Sequence, residues 1–232
     1  MPPDHTRRDV IVVLAGLVAL NLVTVELLDD AAQAVVQVTA ALGAVVVAVR
    51  RGYSVDELGL SRRTLRAGLR LGAMLSAVVI VAVVVVAATS FTRGFLDDDR
   101  FVELSGWRFA YEVLVRIPVV TALSEELLFR SVLLAVMSKV MTNVRAVVAS
   151  SVCFGLWHVL VTLGDLGGNA TTDSLSTAGR IGGVVGVVVV TSVAGMAFAW
   201  TRSRSDSVAA PWLVHTALNG STFVAGYVLA ST

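Results

Sequence analysis

Seven stretches of this chain are long and mostly apolar, six of them about twenty residues with little or no charge, and that pattern leaves few folds open. A helix of roughly 20 apolar residues spans the hydrocarbon core of a bilayer. Lipid offers no partner to a free backbone N–H or C=O, so such a segment crosses as a helix. The stretches cover residues 10–28, 31–49, 69–91, 109–139, 145–162, 181–200 and 208–229. The fourth is too long for one straight crossing and contains Arg116 and Pro118, so a kink or break is expected there. The expected fold is therefore all-α: a polytopic membrane helix bundle of seven to eight transmembrane helices. Composition agrees, with 56% hydrophobic and only 15% charged residues, against about 25% charged in soluble domains.

Basic residues give an orientation. Arg7, Arg8, Arg50, Arg51, Arg62, Arg63, Arg66, Arg70, Lys139, Arg145, Arg202 and Arg204 fall in connections on one side, and only Arg93, Arg100, Arg108 and Arg180 on the other. The positive-inside bias places the N-terminus in the cytoplasm and, with seven spans, the C-terminus outside. The acidic runs Asp29–Asp30 and Asp97–Asp99 fall outside. The first apolar run, Val10–Val25, is longer than a signal-peptide core and shows no clean small-residue cleavage site, so it reads as an uncleaved helix. The segment Arg50–Arg70 reads as a short amphipathic helix on the anionic inner leaflet. Residues 163–180 read as a flexible outer connection, and the Asn169–Thr171 sequon carries no weight. Net charge is +1, so nucleic acid is not an expected partner. The single cysteine, Cys153, excludes an internal disulfide and reads as a small buried apolar residue.

Three of the apolar runs carry residues that lipid disfavours. A charge at mid-membrane costs roughly 2.5–3.5 kcal/mol on insertion scales, so such residues face the bundle interior and find partners. TALSEELLFRSVL carries Glu125, Glu126 and Arg130; FGLWHVL carries His158; PWLVHTALNG carries His215 and Asn219. Glu126 and Arg130, four apart, share a helix face and can pair. Glu125 is offset by about 100° and can point into a cavity. Counted from Lys139, Arg145 and Ser207, these groups sit on the order of 12–21 Å from the cytoplasmic edge, a single layer fed by three helices.

One carboxylate paired with arginine and a second left free suits a general base. With two histidines and an amide, the set suggests activated water attacking a carbonyl. Glu125 takes the proton, His158 orients the water, and His215 and Asn219 stabilise the oxyanion. No GxSxG motif and no plausible Ser–His–Asp set occur, helix position alone does not make Ser124 a nucleophile, and covalent catalysis is weakly supported. Glu125, His158 and His215 also form a known type of zinc ligand set, so the residues alone leave zinc open. A proton-coupled transporter and a non-catalytic membrane scaffold are the competing readings. The first lacks a path of polar groups from face to face, and the second would be marked by a missing motif residue.

In order and spacing, EELLFR at Glu125–Arg130, FGLWH at Phe154–His158 and HTALN at His215–Asn219 match the EExxxR, FxxxH and HxxxN motifs. The chain thus resembles the CPBP family, the CAAX proteases and bacteriocin-processing (Abi) enzymes related to type II CAAX prenyl proteases. The resemblance covers residues 107–229, leaving 1–106 as N-terminal membrane helices with the basic loop, and DELGL at Asp56–Leu60 looks like the region upstream of the family core. It implies an intramembrane endopeptidase in a prokaryotic cell membrane. Glu125 would activate water beside His158, Glu126 and Arg130 would support the site, and His215 and Asn219 would line the oxyanion side. The implied partners are membrane lipid and a peptide or protein substrate, prenylated or not. Members are often labelled metalloproteases, but likeness to glutamate-dependent ones favours chemistry that requires no metal.

Overall fold

The computed structural model describes residues 4–89, 104–168 and 176–231. Among them there is no strand. The helices are α1 (Asp4–Glu26), α2 (Asp30–Arg50), α3 (Arg62–Ala88), α4 (residues 106–138), α5 (Asn143–Trp157), α6 (Val159–Gly168), α7 (Thr177–Ser205) and α8 (Ala209–Ala230). Five segments are long and apolar enough to cross a membrane: Thr6–Glu26, Asp30–Arg50, Arg62–Ala88, Asn143–Gly164 and Thr177–Ser205. Their large side chains stand outward, as Val78, Val81 and Val85 do on α3 and Val185, Val189 and Val193 on α7. Such faces are stable only against hydrocarbon, so the protein is an integral membrane protein.

The core belongs to α4. Its residues from Ser124 to Met137 are all buried, and Phe129, Leu133 and Arg130 are among the most enclosed side chains of the molecule. α4 does not break at Pro118. It runs without interruption from Gly106 to Ser138, and Glu112–Leu123 and Leu127–Leu133 are wound as π-helix around a short α-helical piece, Ser124–Glu126. A proline cannot donate to an i−4 carbonyl and collides with it; the i→i+5 winding absorbs that defect along the helix instead of at one hinge. Next to the defect, the Pro118 carbonyl accepts a hydrogen bond from Trp212 Nε1 of α8 at 2.7 Å. Arg116, read from the sequence as lying within a span, pairs beside the start of α2. It meets Asp30 at 3.3 Å, Gln33 at 3.3 Å and Glu112 at 3.8 Å.

Small residues bring the other helices close. On α3, Gly68 faces Ser207 and Gly72 faces Ala210 and Leu213, so α3 and α8 pack along their lengths. On α5, Gly155 lies against Val188 and Ser192 of α7, where any side chain would overlap.

The amphipathic surface helix expected over Arg50–Arg70 is not formed. Residues 51–61 are turns, and Arg62, Arg63, Arg66 and Arg70 open the long helix α3 itself. Gly52 and Gly59 take left-handed φ values of 92° and 69°, which end any helix there. Ser61 caps the next helix. The turn segment acts as a buckle. Asp9 of α1 meets Arg51 at 2.6 Å, and burial and the adjacent Asp9 carboxylate push the Tyr53 phenol up to about 12. Glu57 pairs with Lys139 at the end of α4. Arg202 of α7 donates to the Glu57 carbonyl at 3.0 Å, and the Gly59 carbonyl accepts from Val208 N at 2.9 Å. Residues 51–60, which include DELGL, are thus a clasp holding α1, α4, α7 and α8 at one pole.

The Lys139 ammonium, and after it the Ser54 backbone N–H, hold the Glu57 carboxyl below its ordinary value of 4.5. A depressed folded-state pKa gives stability that is present above the ordinary value and lost as pH falls through the folded one. Wild type is therefore expected to melt above Glu57→Gln at neutral pH, with the gap closing as the pH falls below 4.5. Melting curves of both proteins across that range check this; a gap that does not depend on pH would remove the ion pair from the account.

The connection expected over 163–180 is partly helical, since α6 continues to Gly168 and α7 starts at Thr177. Asn169–Thr171 and Asp97–Asp99 lie outside the described residues.

Candidate active site

Four helices meet around the Glu125–Glu126 pair. Both carboxylates are buried, Glu126 completely, and so is Arg130. Arg130 Nη1 lies 3.1 Å from Glu126 Oε1, the i, i+4 pair expected from the sequence. The guanidinium is caged by rings: its carbon stands 4.0 Å from the Phe154 centroid, 5.1 Å from Phe198 and 5.9 Å from Phe129. Cation–π attraction strengthens when the cation is desolvated, so the rings replace part of the water that Arg130 gives up. Gly195 of α7 makes room; a Cβ there would sit 3.1 Å from Arg130 Nη2 and 3.2 Å from Phe154.

His215 of α8 faces both glutamates. Its Nδ1 is 2.9 Å from Glu126 Oε1, and its Nε2 is 3.8 Å from Glu125 Oε2. The short contact requires an Nδ1–H donor, because a carboxylate only accepts. That turns Nε2 toward Glu125, and Phe198 stacks on the ring at 4.7 Å and holds its plane. Glu126 Oε1 therefore faces the Arg130 guanidinium and the His215 N–H, whereas Glu125 Oε1 accepts from one neutral donor, Trp157 Nε1 at 3.2 Å. Glu125 Oε2 is buried and has no hydrogen-bond partner in the protein. The same is true of Glu126 Oε2, and a buried carboxylate oxygen left unpaired costs free energy.

His158 occupies the joint between α5 and α6, where the helix yields for one residue. Its Nδ1 donates to the Phe154 carbonyl at 2.8 Å, and its ring lies edge-on to Phe154 at 4.8 Å. That carbonyl bond leaves Nε2 as the free ring nitrogen. His158 touches the cluster through Phe154, not through either carboxylate. Asn219 is one turn beyond His215 and partly buried, and no hydrogen bond joins it to the carboxylates. Ser124 Oγ is committed to the Val119 carbonyl at 3.3 Å, five residues back along the π-wound helix, and is no nucleophile in reach of a base.

The sequence reading passed over Trp157, Phe129 and Phe198, and over Asn21 of α1. Asn21 Nδ2 donates at 2.6 Å to the Trp157 carbonyl, the last of α5. A helix-end carbonyl lacks an intrahelical partner, so Asn21 fixes the residue that fixes Glu125. A lone amide inside the apolar run Val10–Val25 was the signal available for it; aromatic residues in apolar helices give none. Trp157→Phe keeps the ring contacts and removes only the indole N–H. It is expected to lower kcat about tenfold, the worth of one hydrogen bond to a charged group, with KM little changed. Initial-rate kinetics check this, and an unchanged kcat would show that Glu125 needs no such support.

Among the described residues, no three His, Cys, Asp or Glu side chains gather closely enough to share an ion. The set Glu125, His158 and His215 does not meet that condition.

A family model described as Rce1-like, type II CAAX prenyl endopeptidase, matches residues 106–221, half of the chain. The chain belongs to this family. The match spans α4 to α8 and contains Glu125, Glu126, Arg130, His158, His215 and Asn219. No curated protein and no solved structure matches the chain. Membership makes the protein a CAAX-type protease of the membrane, acting on a peptide or protein.

Proposed function

We propose that the protein is an intramembrane endopeptidase that hydrolyses a peptide bond with water activated by Glu125, without a metal. The observation that carries this reading is the asymmetry of the two glutamates. Each keeps a buried Oε2 without a hydrogen-bond partner, but Glu126 is paired through its Oε1 with the Arg130 guanidinium and with His215, whereas Glu125 accepts only from the neutral Trp157 N–H and has no arginine beside it. A base must be held, yet have a free lone pair at the reacting side.

In the proposed reaction a water donates one proton to Glu125 Oε2 while its oxygen bonds to the scissile carbonyl carbon. The charge moves to the carbonyl oxygen, which accepts a hydrogen bond from the Asn219 amide and lies beside the His215 ring, whose Nδ1–H stays on Glu126. His158, through its free Nε2, orients the water. Glu125 then returns its proton to the amide nitrogen as the C–N bond breaks, releasing a carboxylic acid and an amine. Trp157 holds Glu125 throughout, and Glu126 with Arg130 holds His215.

The same reading carries α4 and α8 across the bilayer with the five apolar segments, seven spans in all, with the clasp and the N-terminus in the cytoplasm. The basic residues gathered near the clasp support that orientation. The membership supports a prenylated C-terminal tail as substrate. Purified protein in lipid vesicles, offered matched farnesylated and unprenylated peptides with and without a zinc chelator, tests the proposal. Cleavage confined to the prenylated peptide and indifferent to chelator is expected. Loss of cleavage on chelation, restored by zinc, would overturn the metal-free mechanism. Equal cleavage of both peptides would overturn the prenyl requirement.

A further inference from the structure

The first nine residues of α3 carry four arginines in an arrangement that opposes itself. Helix N-termini are electropositive and favour acids, yet the first turn of α3 has none, and Arg62, Arg63, Arg66 and Arg70 follow one another. Spacings of three and four put like charges side by side, which destabilises a helix. All four are exposed, and none makes an ion pair among the described residues. Other cations at the same pole are paired: Arg51 with Asp9, Lys139 with Glu57 and Arg202 with Asp206.

The rotation of α3 is not free to relieve this. Gly68 and Gly72 lock its opposite face onto Ser207, Ala210 and Leu213. Arg63, Arg66 and Arg70 therefore line one outward hollow together, and Leu71 and Met74 continue it toward the apolar part of the helix. Beyond them lie the exposed valines Val78, Val81 and Val85. An anion at the guanidiniums joined to hydrocarbon along the valines complements this surface along its whole length. Guanidinium groups match phosphate oxygens in geometry as well as charge.

We propose that this face of α3 is a binding site for an anionic phospholipid, whose phosphate lies among Arg63, Arg66 and Arg70 and whose acyl chain runs along Leu71 and Met74. The site is separate from the catalytic cluster. It bears on it mechanically, because α3 is the helix against which the start of α8, ahead of His215, is packed. A lipid that removes the repulsion within α3 stabilises the support of that histidine.

Native mass spectrometry of the full chain in detergent, titrated with phosphatidylglycerol or phosphatidylcholine of the same chains, tests this. Wild type is expected to retain phosphatidylglycerol in preference to phosphatidylcholine. In R63Q/R66Q/R70Q, affinity for phosphatidylglycerol falls on the order of 100-fold, about fivefold for each arginine at a membrane surface. A control with the same charge removed elsewhere on that side, R50Q/R145Q/R204Q, keeps the wild-type preference. Soluble glycerophosphate at equal concentration does not displace the lipid. Three results would overturn the proposal: equal retention by wild type and R63Q/R66Q/R70Q, an equal loss in the control, which would reduce the effect to bulk charge, or displacement by glycerophosphate, which would make it a free-anion site.

Discussion

Glu125→Gln leaves a folded protein that no longer cleaves peptide, with kcat lowered about 10³-fold and KM nearly unchanged. The substitution is close to isosteric. Its amide oxygen can still accept from Trp157 Nε1, now 3.2 Å from Glu125 Oε1, so the side chain stays placed. Only the ability to take a proton from water disappears, and a positioned general base contributes about 10²–10⁴ in rate. Glu126→Gln provides the contrast. Glu126 is fully buried between Arg130 and His215, so removing its charge strands a buried guanidinium and lowers stability before it lowers the chemical step. Turnover and melting measurements on both variants separate the two roles. If Glu125→Gln kept more than about a tenth of wild-type kcat while Glu126→Gln abolished it, the assignments would be exchanged.

Arg130→Met is expected to cause the largest loss of stability of any single change in the site. Methionine fills much of the volume within the Phe129, Phe154 and Phe198 cage but leaves Glu126 with His215 as its one remaining partner. Breaking a buried pair on one side costs about 3–5 kcal/mol, because the surviving charge stays desolvated. The melting midpoint in detergent should fall on the order of 10 °C for a chain of this size. Replacing both partners, in Glu126→Gln/Arg130→Met, should recover a large part of that loss, since no lone charge then remains. Melting curves of the two singles and the double complete the cycle. A double variant as unstable as Arg130→Met would show that the rings, not the ion pair, carry the arginine.

Much of this was written in the one-dimensional pattern because lipid imposes simple rules. Long apolar runs must be helices, and charged residues inside them must turn inward. Glu125, Glu126, Arg130 and His215 were therefore legible as one group, and the structure gathers these four. His158 and Asn219 were read at the same depth, yet neither bonds to the carboxylates. Depth along a helix fixes height in the bilayer and leaves lateral contact undetermined.

Three features lay beyond the sequence for physical reasons. Pro118 announces a helix defect, but whether the chain kinks or widens its winding depends on what packs around α4, here Trp212 at the Pro118 carbonyl. The basic segment from Arg50 to Arg70 has the composition of a surface helix. Its fate as a clasp and a helix start was decided by Arg202, Val208 and Lys139, residues distant in sequence. Trp157, which holds Glu125, and Phe198, which holds His215, are ordinary residues for a membrane helix, and nothing in the pattern marks them. What the sequence determined by itself is the fold class and the identity of the charged groups, because solvation by lipid acts residue by residue. Which carboxylate is free and which is neutralised was decided only when four helices packed, because hydrogen bonds and ring contacts depend on lateral distance, which no periodicity encodes.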